Sequence, residues 1–306
     1  MLTSLPAAAA GRYVLVSACR NEAAYIEGLI GAVSAQTRKP LRWVIVDDNS
    51  TDETSAVAMA RGKELEFFQL ARMSDDRPRN FASKVFAEQH GYELVRHLEF
   101  EFVGFLDADI LLPEDYYEQV IDSFKAEPDL GLAGGVVLDR EEGRVENSRK
   151  GSENHHVAGG VQLFRRRCFD QIGGYRPIKG GCEDTVAEVM SIMHGWKVRT
   201  FPSINAIHLR PDGFVRKNPF QAGMAWGSKF YRIGYHPAYY TGQCLRRIGR
   251  RPIIVGSLFS LFGFIIASLK AEPRPVSKDF VRFLRKMQAR RITEALNSVR
   301  LLPEAK

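Results

Sequence analysis

The stretch Phe102-Val-Gly-Phe-Leu-Asp-Ala-Asp-Ile110 constrains this chain more than any other. Five mostly apolar residues run straight into two carboxylates, Asp107 and Asp109, with one alanine between them. A short apolar run of this kind reads as a buried strand, and acids set immediately after it lie at the strand's carboxyl end, where open α/β sheets bind ligands. Aspartates there supply hard oxygen donors for magnesium or manganese, ions that take one or two carboxylates together with substrate phosphates. The triplet therefore points to a ligand that carries a diphosphate. Alone it is weak, because an Asp-x-Asp arises by chance about once in a chain of this length, so its meaning rests on what surrounds it.

The surroundings repeat the pattern. Arg12 to Ala18 is a strand that leads into Cys-Arg-Asn-Glu and then a helix over 23–35, with Ile26, Leu29, Ile30 and Val33 at helical spacing. Trp43 to Val46 is a second buried strand, again followed by acids, Asp47 and Asp48. Ser50 and Glu53 stand at the spacing of a capping box and predict a short loop into the next helix. Asp47 is expected to serve the turn and Asp48 the ligand. A third strand spans Glu66 to Leu70, and a helix from Asn80 to His97 follows. Its start carries Arg79, Asn80 and Lys84, where free backbone N–H groups and positive charge suit a phosphate. After the Asp107/Asp109 strand come a helix over 115–125 and a strand over 130–138. This alternation predicts a mainly parallel, doubly wound α/β sheet.

Past Asp139 the chain turns into a long polar loop that ends in His155-His156, a pair more commonly solvated or turned to an acceptor than bound to metal. Val161 to Arg167 then runs into a short helix closed by Gly173-Gly174. In KGGCEDTVAEVMSIM, Glu183 and Asp184 enter a helix whose Val186, Val189, Met190 and Met193 form an apolar stripe. Strands over 197–201 and 205–209 close the domain, with His208 near the end of the last.

Composition narrows the class. The chain has 306 residues, 45% of them hydrophobic, which is ample for a core and excludes a disordered protein. Four cysteines without C-x-x-C spacing read as reduced thiols in a cytosolic setting, and the amino terminus lacks the basic and apolar regions of a secretory signal. The net charge of +7 is concentrated at one end. From Arg246 onward there are fourteen Lys or Arg against four acids. A near-neutral body with a basic, apolar tail argues against nucleic acid as partner and for an anionic lipid surface.

Taken in order, the Arg-Asn-Glu loop, VIVDDNSTDET, FLDADI, LFRRRCFDQIGGY, the Glu183-Asp184 pair and the late histidine resemble the family 2 glycosyltransferases of GT-A fold, bacterial polysaccharide-assembly members in particular, over about residues 11–210. The resemblance implies a glycosyltransferase domain over 11–215. It implies that the loop of Ala18, Arg20 and Glu22, together with Asp48, holds the base of a nucleotide sugar, with a UDP-sugar as the expected donor, and that Asp107 faces ribose and metal. Asp109 would bind a divalent metal, magnesium or manganese, with His208 as an additional ligand, and Asp184 would be the catalytic base. Lys84, from its place at a helix start, is the expected diphosphate contact. The first loop departs from the family in having Ala-Cys-Arg-Asn-Glu where many members carry a proline and an aromatic, so this loop does not fix the nucleotide.

The chemistry fits the residues independently. Breaking a sugar–phosphate bond needs charge stabilisation on the leaving diphosphate, and attack by a hydroxyl needs a proton acceptor opposite it. One base in line with departure implies inversion, with a glycan or lipid-linked hydroxyl as acceptor. Transfer to a polyprenyl phosphate, a non-catalytic sugar-nucleotide-binding protein and a nucleotidyltransferase are the alternatives.

Residues 216–306 are expected to form a helical, basic, membrane-associating extension. Its uncharged run Pro252 to Leu269 would span roughly 27 Å as a helix, short of a hydrocarbon core about 30 Å thick. Basic residues flank both ends, which disfavours a single crossing. Gly256, Ser260, Gly263 and Ala267 form a small-residue stripe suited to close helix packing. With an amphipathic basic segment over 280–292, the expectation is a peripheral, monotopic or re-entrant attachment at the cytoplasmic face of the cell membrane.

Overall fold

In the computed structural model, residues 9–74, 80–141, 144–146, 156–210, 218–246 and 255–300 are described. The chain divides into two compact units, 1–211 and 212–306.

The first unit is a sheet with helices on both faces. Its strands in chain order are β1 (Tyr13–Cys19), β2 (Arg42–Asp48), β3 (Phe68–Met73), β4 (Phe102–Leu106), β5 (Ile110–Leu111), β6 (Leu130–Glu141), β7 (Arg144–Glu146), β8 (Val161–Arg165) and β9 (Lys197–His208). Their order across the sheet is β3-β2-β1-β4-β8-β6-β9-β5, with β7 paired to β6. The β3-β2-β1-β4 half is parallel, as the alternation predicts. Beyond it the sheet is mixed: β8 runs antiparallel to β4 and β6, β6 and β9 are parallel, and β5 is antiparallel to β9. The two last strands expected from sequence are one strand, β9, whose pairing with β6 is interrupted between Gly135 and Val136.

The helices of this unit are α1 (Ile26–Ser34), α2 (Thr54–Gly62), α3 (Ala82–Val95), α4 (Tyr116–Ala126), α5 (Arg166–Ile172) and α6 (Glu183–Met193). Side chains alternate along each central strand, so each face has its own core. Tyr13 and Leu15 of β1 pack with Trp43, Ile45 and the apolar residues of α1 and α4 on one side. Val14 and Val16 pack with Val44, Val46 and α3, α5 and α6 on the other. Gly91 lets α3 approach β1 closely, since a Cβ there would stand 2.5 Å from Val16 Cγ1.

One local expectation is corrected. No capping box forms at α2, whose first residue is Thr54 and whose N-cap, Glu53, makes no side-chain cap bond. The Ser50 hydroxyl instead accepts the Asn21 N–H at 3.0 Å, and Asp52 Oδ1 accepts the Thr54 N–H at 3.1 Å. A bond to the neighbouring strand-end loop has displaced a bond within the helix.

The second unit is helical: α7 (Pro219–Arg232), α8 (Pro237–Arg246), α9 (Val255–Leu269) and α10 (Lys278–Arg300). The Asn218 side chain accepts the Phe220 N–H at 3.1 Å with Pro219 at the first turn, a well-formed start for α7. The small-residue stripe of α9 lies against α7, where Gly223 and Gly227 answer it. A Cβ on Gly227 would fall 1.9 Å from the Ser260 carbonyl oxygen, and one on Gly263 2.2 Å from that of Met224. The opposite face of α9 is apolar and exposed: Leu258, Phe262, Ile265 and Leu269 are 46%, 46%, 44% and 82% accessible. Among the described residues no helix is long and apolar enough to cross a membrane.

The amphipathic segment over 280–292 belongs to α10, and its apolar face is used inside this unit. Phe280, Val281 and Leu284 are buried, Arg285 donates to the Gly234 carbonyl at 3.0 Å, and Gln288 accepts the His236 N–H at 2.7 Å. That face is therefore largely taken up inside the unit; exposed apolar residues are grouped on α9, with Phe220, Trp226, Leu245 and Leu296 exposed on the other helices.

Candidate active site

Three parallel strands end at the same edge of the sheet, and the predicted site residues follow them. β1 ends in Ala18 and Cys19, paired with Val46 and Asp47 of β2. Arg20 donates to the Asp48 carbonyl at 3.1 Å, and the Glu22 N–H donates to Thr54 Oγ1 at 2.8 Å. Asn21 and Asn49, both with φ near +55°, turn the chain at the two strand ends, and the Asn21 side chain accepts the Thr51 N–H at 2.9 Å. Asparagine tolerates this left-handed conformation better than most residues. Asp47 serves the turn as expected, accepting the Ser50 N–H at 2.9 Å, whereas Asp48 ends β2 almost fully buried.

Asp107 follows β4, and its backbone N–H donates to the Gly160 carbonyl at 3.0 Å. Its carboxylate holds Lys84 Nζ at 2.5 Å, with Glu88 of the same helix 3.7 Å from that ammonium. Burial opposes the charge on Lys84, yet Asp107 and Glu88 raise its pKa well above the ordinary value. Glu88 is 3% exposed, and burial pushes its carboxyl up to about 8 although Lys84 pulls the other way. Arg79 lies outside the described residues.

Asp184 reaches the same place by a different route. Gly181 and Cys182, at φ +79° and +78°, swing the chain into α6 so that Glu183 and Asp184 form its first turn. The adjacent Gly159 and Gly160 each leave room for one carboxylate, Asp184 against the first and Asp107 against the second. A Cβ on Gly159 would lie 2.9 Å from Asp184 Oδ2, and one on Gly160 2.9 Å from Asp107 Oδ2. His156 is half-buried and paired: its Nδ1 is 2.9 Å from Glu188 Oε2, a buried acid that also accepts the Val157 N–H at 2.7 Å. His155 lies outside the described residues.

Asp109 and His208, 99 positions apart, meet because β5 pairs Ile110 with His208. His208 Nε2 is 3.4 Å from Asp109 Oδ2, and its Nδ1 is 2.9 Å from Asp139 Oδ1 across β6. Burial lowers the imidazolium's pKa, but bonds to Asp109 and Asp139 outweigh it and raise it to about 9. Arg210 spans the site, pairing with Glu22 and standing 3.3 Å from Asp109. Burial brings Glu22 up to about 7 against the pull of Arg210. Burial would also raise Asp109, but His208 and Arg210 hold it below the ordinary carboxylate range.

The donor set suits a divalent ion of the expected kind. Ligands about 2.0–2.1 Å from an octahedral ion stand roughly 3 Å apart when adjacent, close to the separation of Asp109 and His208. Among the described residues no three His, Cys, Asp or Glu side chains converge on one point, so there is no all-protein cage. Two protein ligands completed by phosphate oxygens fit such an ion. An open cleft of about 600 Å³ elsewhere is lined by Arg12, Arg38, Lys39, Glu101 and Lys125 beside the start of β1, at the opposite end of that strand.

Sequence reasoning missed Asp139, Arg210, Glu88 and the Gly159-Gly160 pair. Asp139 and Arg210 carry no local motif, and only the register of β6 on β9 brings the first to His208. The two adjacent glycines were a visible signal.

A mostly parallel sheet with helices on both faces and acids ending β2 and following β4 at one edge is an architecture of GT-A type. The chain belongs to glycosyl transferase family 2, whose model matches residues 14–179. Its fold is similar to that of the mannosyltransferase PcManGT from Pyrobaculum calidifontis in complex with GDP-Man and Mn2+, at TM-score 0.54 and 17% identity, covering 97% of this chain and 88% of that one. It is also similar to S. aureus TarS 1-349, at TM-score 0.53 and 12% identity, covering 85% and 72%. The TarS complex with UDP matches at TM-score 0.50 and 13% identity, over 72% and 65%. Among curated proteins no sequence matches the chain.

Proposed function

We propose that this glycosyltransferase moves a sugar from a nucleotide diphosphate, a UDP-sugar in the first instance, to an acceptor hydroxyl with inversion at the anomeric carbon, in the assembly of extracellular or lipid-linked polysaccharide. The observation that supports this is that Asp184 and Asp107 pack on successive residues, Gly159 and Gly160, so that one short segment serves both a donor-side carboxylate and a second acid. Ala18, Arg20, Glu22 and Asp48 bind the nucleoside end, and Asp107 the ribose. Asp109 and His208 hold the divalent ion, which when bound supplies positive charge to the departing diphosphate. Lys84 leaves Asp107 to add its own charge there. Asp184 takes the acceptor's proton as the new bond forms.

The domain boundary near residue 215 and the helical extension follow the same reading. The extension rests on an anionic membrane at its cytoplasmic face, supported by the exposed apolar face of α9 and the basic residues around it.

A thermal-shift series with sugar nucleotides and manganese tests donor binding. One sugar nucleotide should raise the melting temperature well above the others, since a ligand specific to the folded state stabilises by mass action. A flat response to every sugar nucleotide contradicts the proposal.

A further inference from the structure

We infer that Asp139 is a positioning residue for His208, and that it fixes which ring nitrogen faces the ion. The inference rests on the proposed metal-dependent reading and extends it to a residue that touches neither donor nor ion. Three strands make the arrangement. β9 lies between β5 and β6, so His208 has Ile110 opposite it on one side and Asp139 on the other. Asp139 is 6% exposed, and its Oδ1 is 2.9 Å from His208 Nδ1. The Nε2 atom then faces Asp109 Oδ2 at 3.4 Å.

The chemistry follows from the two nitrogens. An acceptor-only carboxylate at Nδ1 keeps the proton on that nitrogen, so Nε2 is the one that releases its proton when the ion binds and offers its lone pair. A carboxylate behind a ligating histidine also locks the ring's orientation and raises its basicity. Ordering the ring beforehand matters here because few protein ligands hold the ion. An amide at position 139 can turn its NH2 group to Nδ1, which would move the proton to Nε2 and aim a donor where an acceptor is needed.

The test is manganese affinity of the full chain with a nucleoside diphosphate present, read from the electron paramagnetic resonance signal of free Mn(II). Asp139→Ala and Asp139→Asn are each expected to weaken binding about 10- to 100-fold, with melting curves recorded as a check on folding. The double variant His208→Ala/Asp139→Ala should bind no more weakly than His208→Ala alone, because Asp139 acts through the ring. If His208→Ala weakens binding and neither Asp139 variant does, this inference is overturned and the metal reading stands. Additive losses in the double variant overturn it too, because Asp139 would then be a ligand itself. A native chain that takes up no manganese overturns the metal reading and this inference with it.

Discussion

Asp184 packs against Gly159 and Asp107 against Gly160, two residues that lack side chains. A methyl group at Gly159 would press on Asp184 Oδ2 at 2.9 Å, so Gly159→Ala is expected to lower the transfer rate while sparing donor affinity. Asp184→Asn should retain donor binding and lose the rate by about 10² to 10⁴, the usual range for a positioned base. Loss of donor affinity with turnover unchanged would make Asp184 a binding residue instead. Glu88 offers a separate test through pH. Its folded carboxyl is raised to about 8, above its unfolded value, so between the two the native state holds the extra proton and stability falls as pH rises. Glu88→Gln mimics the protonated form and removes that loss. The variant should match the native chain near pH 5 and exceed it at pH 8 by on the order of 2–4 kcal/mol, measured by denaturant unfolding. A native chain whose stability is flat over this window would contradict the assignment.

At the scale of elements, the legible parts were those that local chemistry determines. Apolar runs marked β1, β2 and β4, the last two ending in acids, and helical spacing marked α1 and α6, because each pattern lies within a few residues of its cause. Pairings across the sheet were not legible. Nothing near Asp139 or Arg210 in the sequence announces that β6 and the end of β9 converge on Asp109, since that depends on strands far apart in the chain. The capping box failed for a related reason: Ser50 had a better partner in the Asn21 loop. The contact of α7 with α9 gives the prediction at this scale. Gly227→Leu must separate the helices, because even a Cβ there would meet the Ser260 carbonyl oxygen at 1.9 Å. Overpacking of this kind costs about 1–3 kcal/mol or more, so loss of helical signal on heating should come earlier in the variant. An unchanged melting curve would mean that α7 and α9 do not pack in this way.

For the molecule as a whole, charge and apolar surface concentrate in the unit 212–306. The apolar face of α10 is largely taken up by packing within that unit, so the proposed membrane contact is assigned to the exposed group Leu258, Phe262, Ile265 and Leu269 of α9. Full-length protein should sediment with anionic vesicles at low salt and less with neutral ones, and Phe262→Glu should weaken both. Equal sedimentation of native chain and variant would remove α9 from the proposed contact. The central claim concerns the reaction itself. The measurement that tests it most directly is nuclear magnetic resonance of the product formed from an α-linked nucleotide sugar with manganese and acceptor present, following the anomeric proton and the released nucleotide together. The account predicts a β-glycoside with one nucleoside diphosphate per transfer, both nearly absent in Asp184→Asn; an α-glycoside, or release of pyrophosphate, would contradict it.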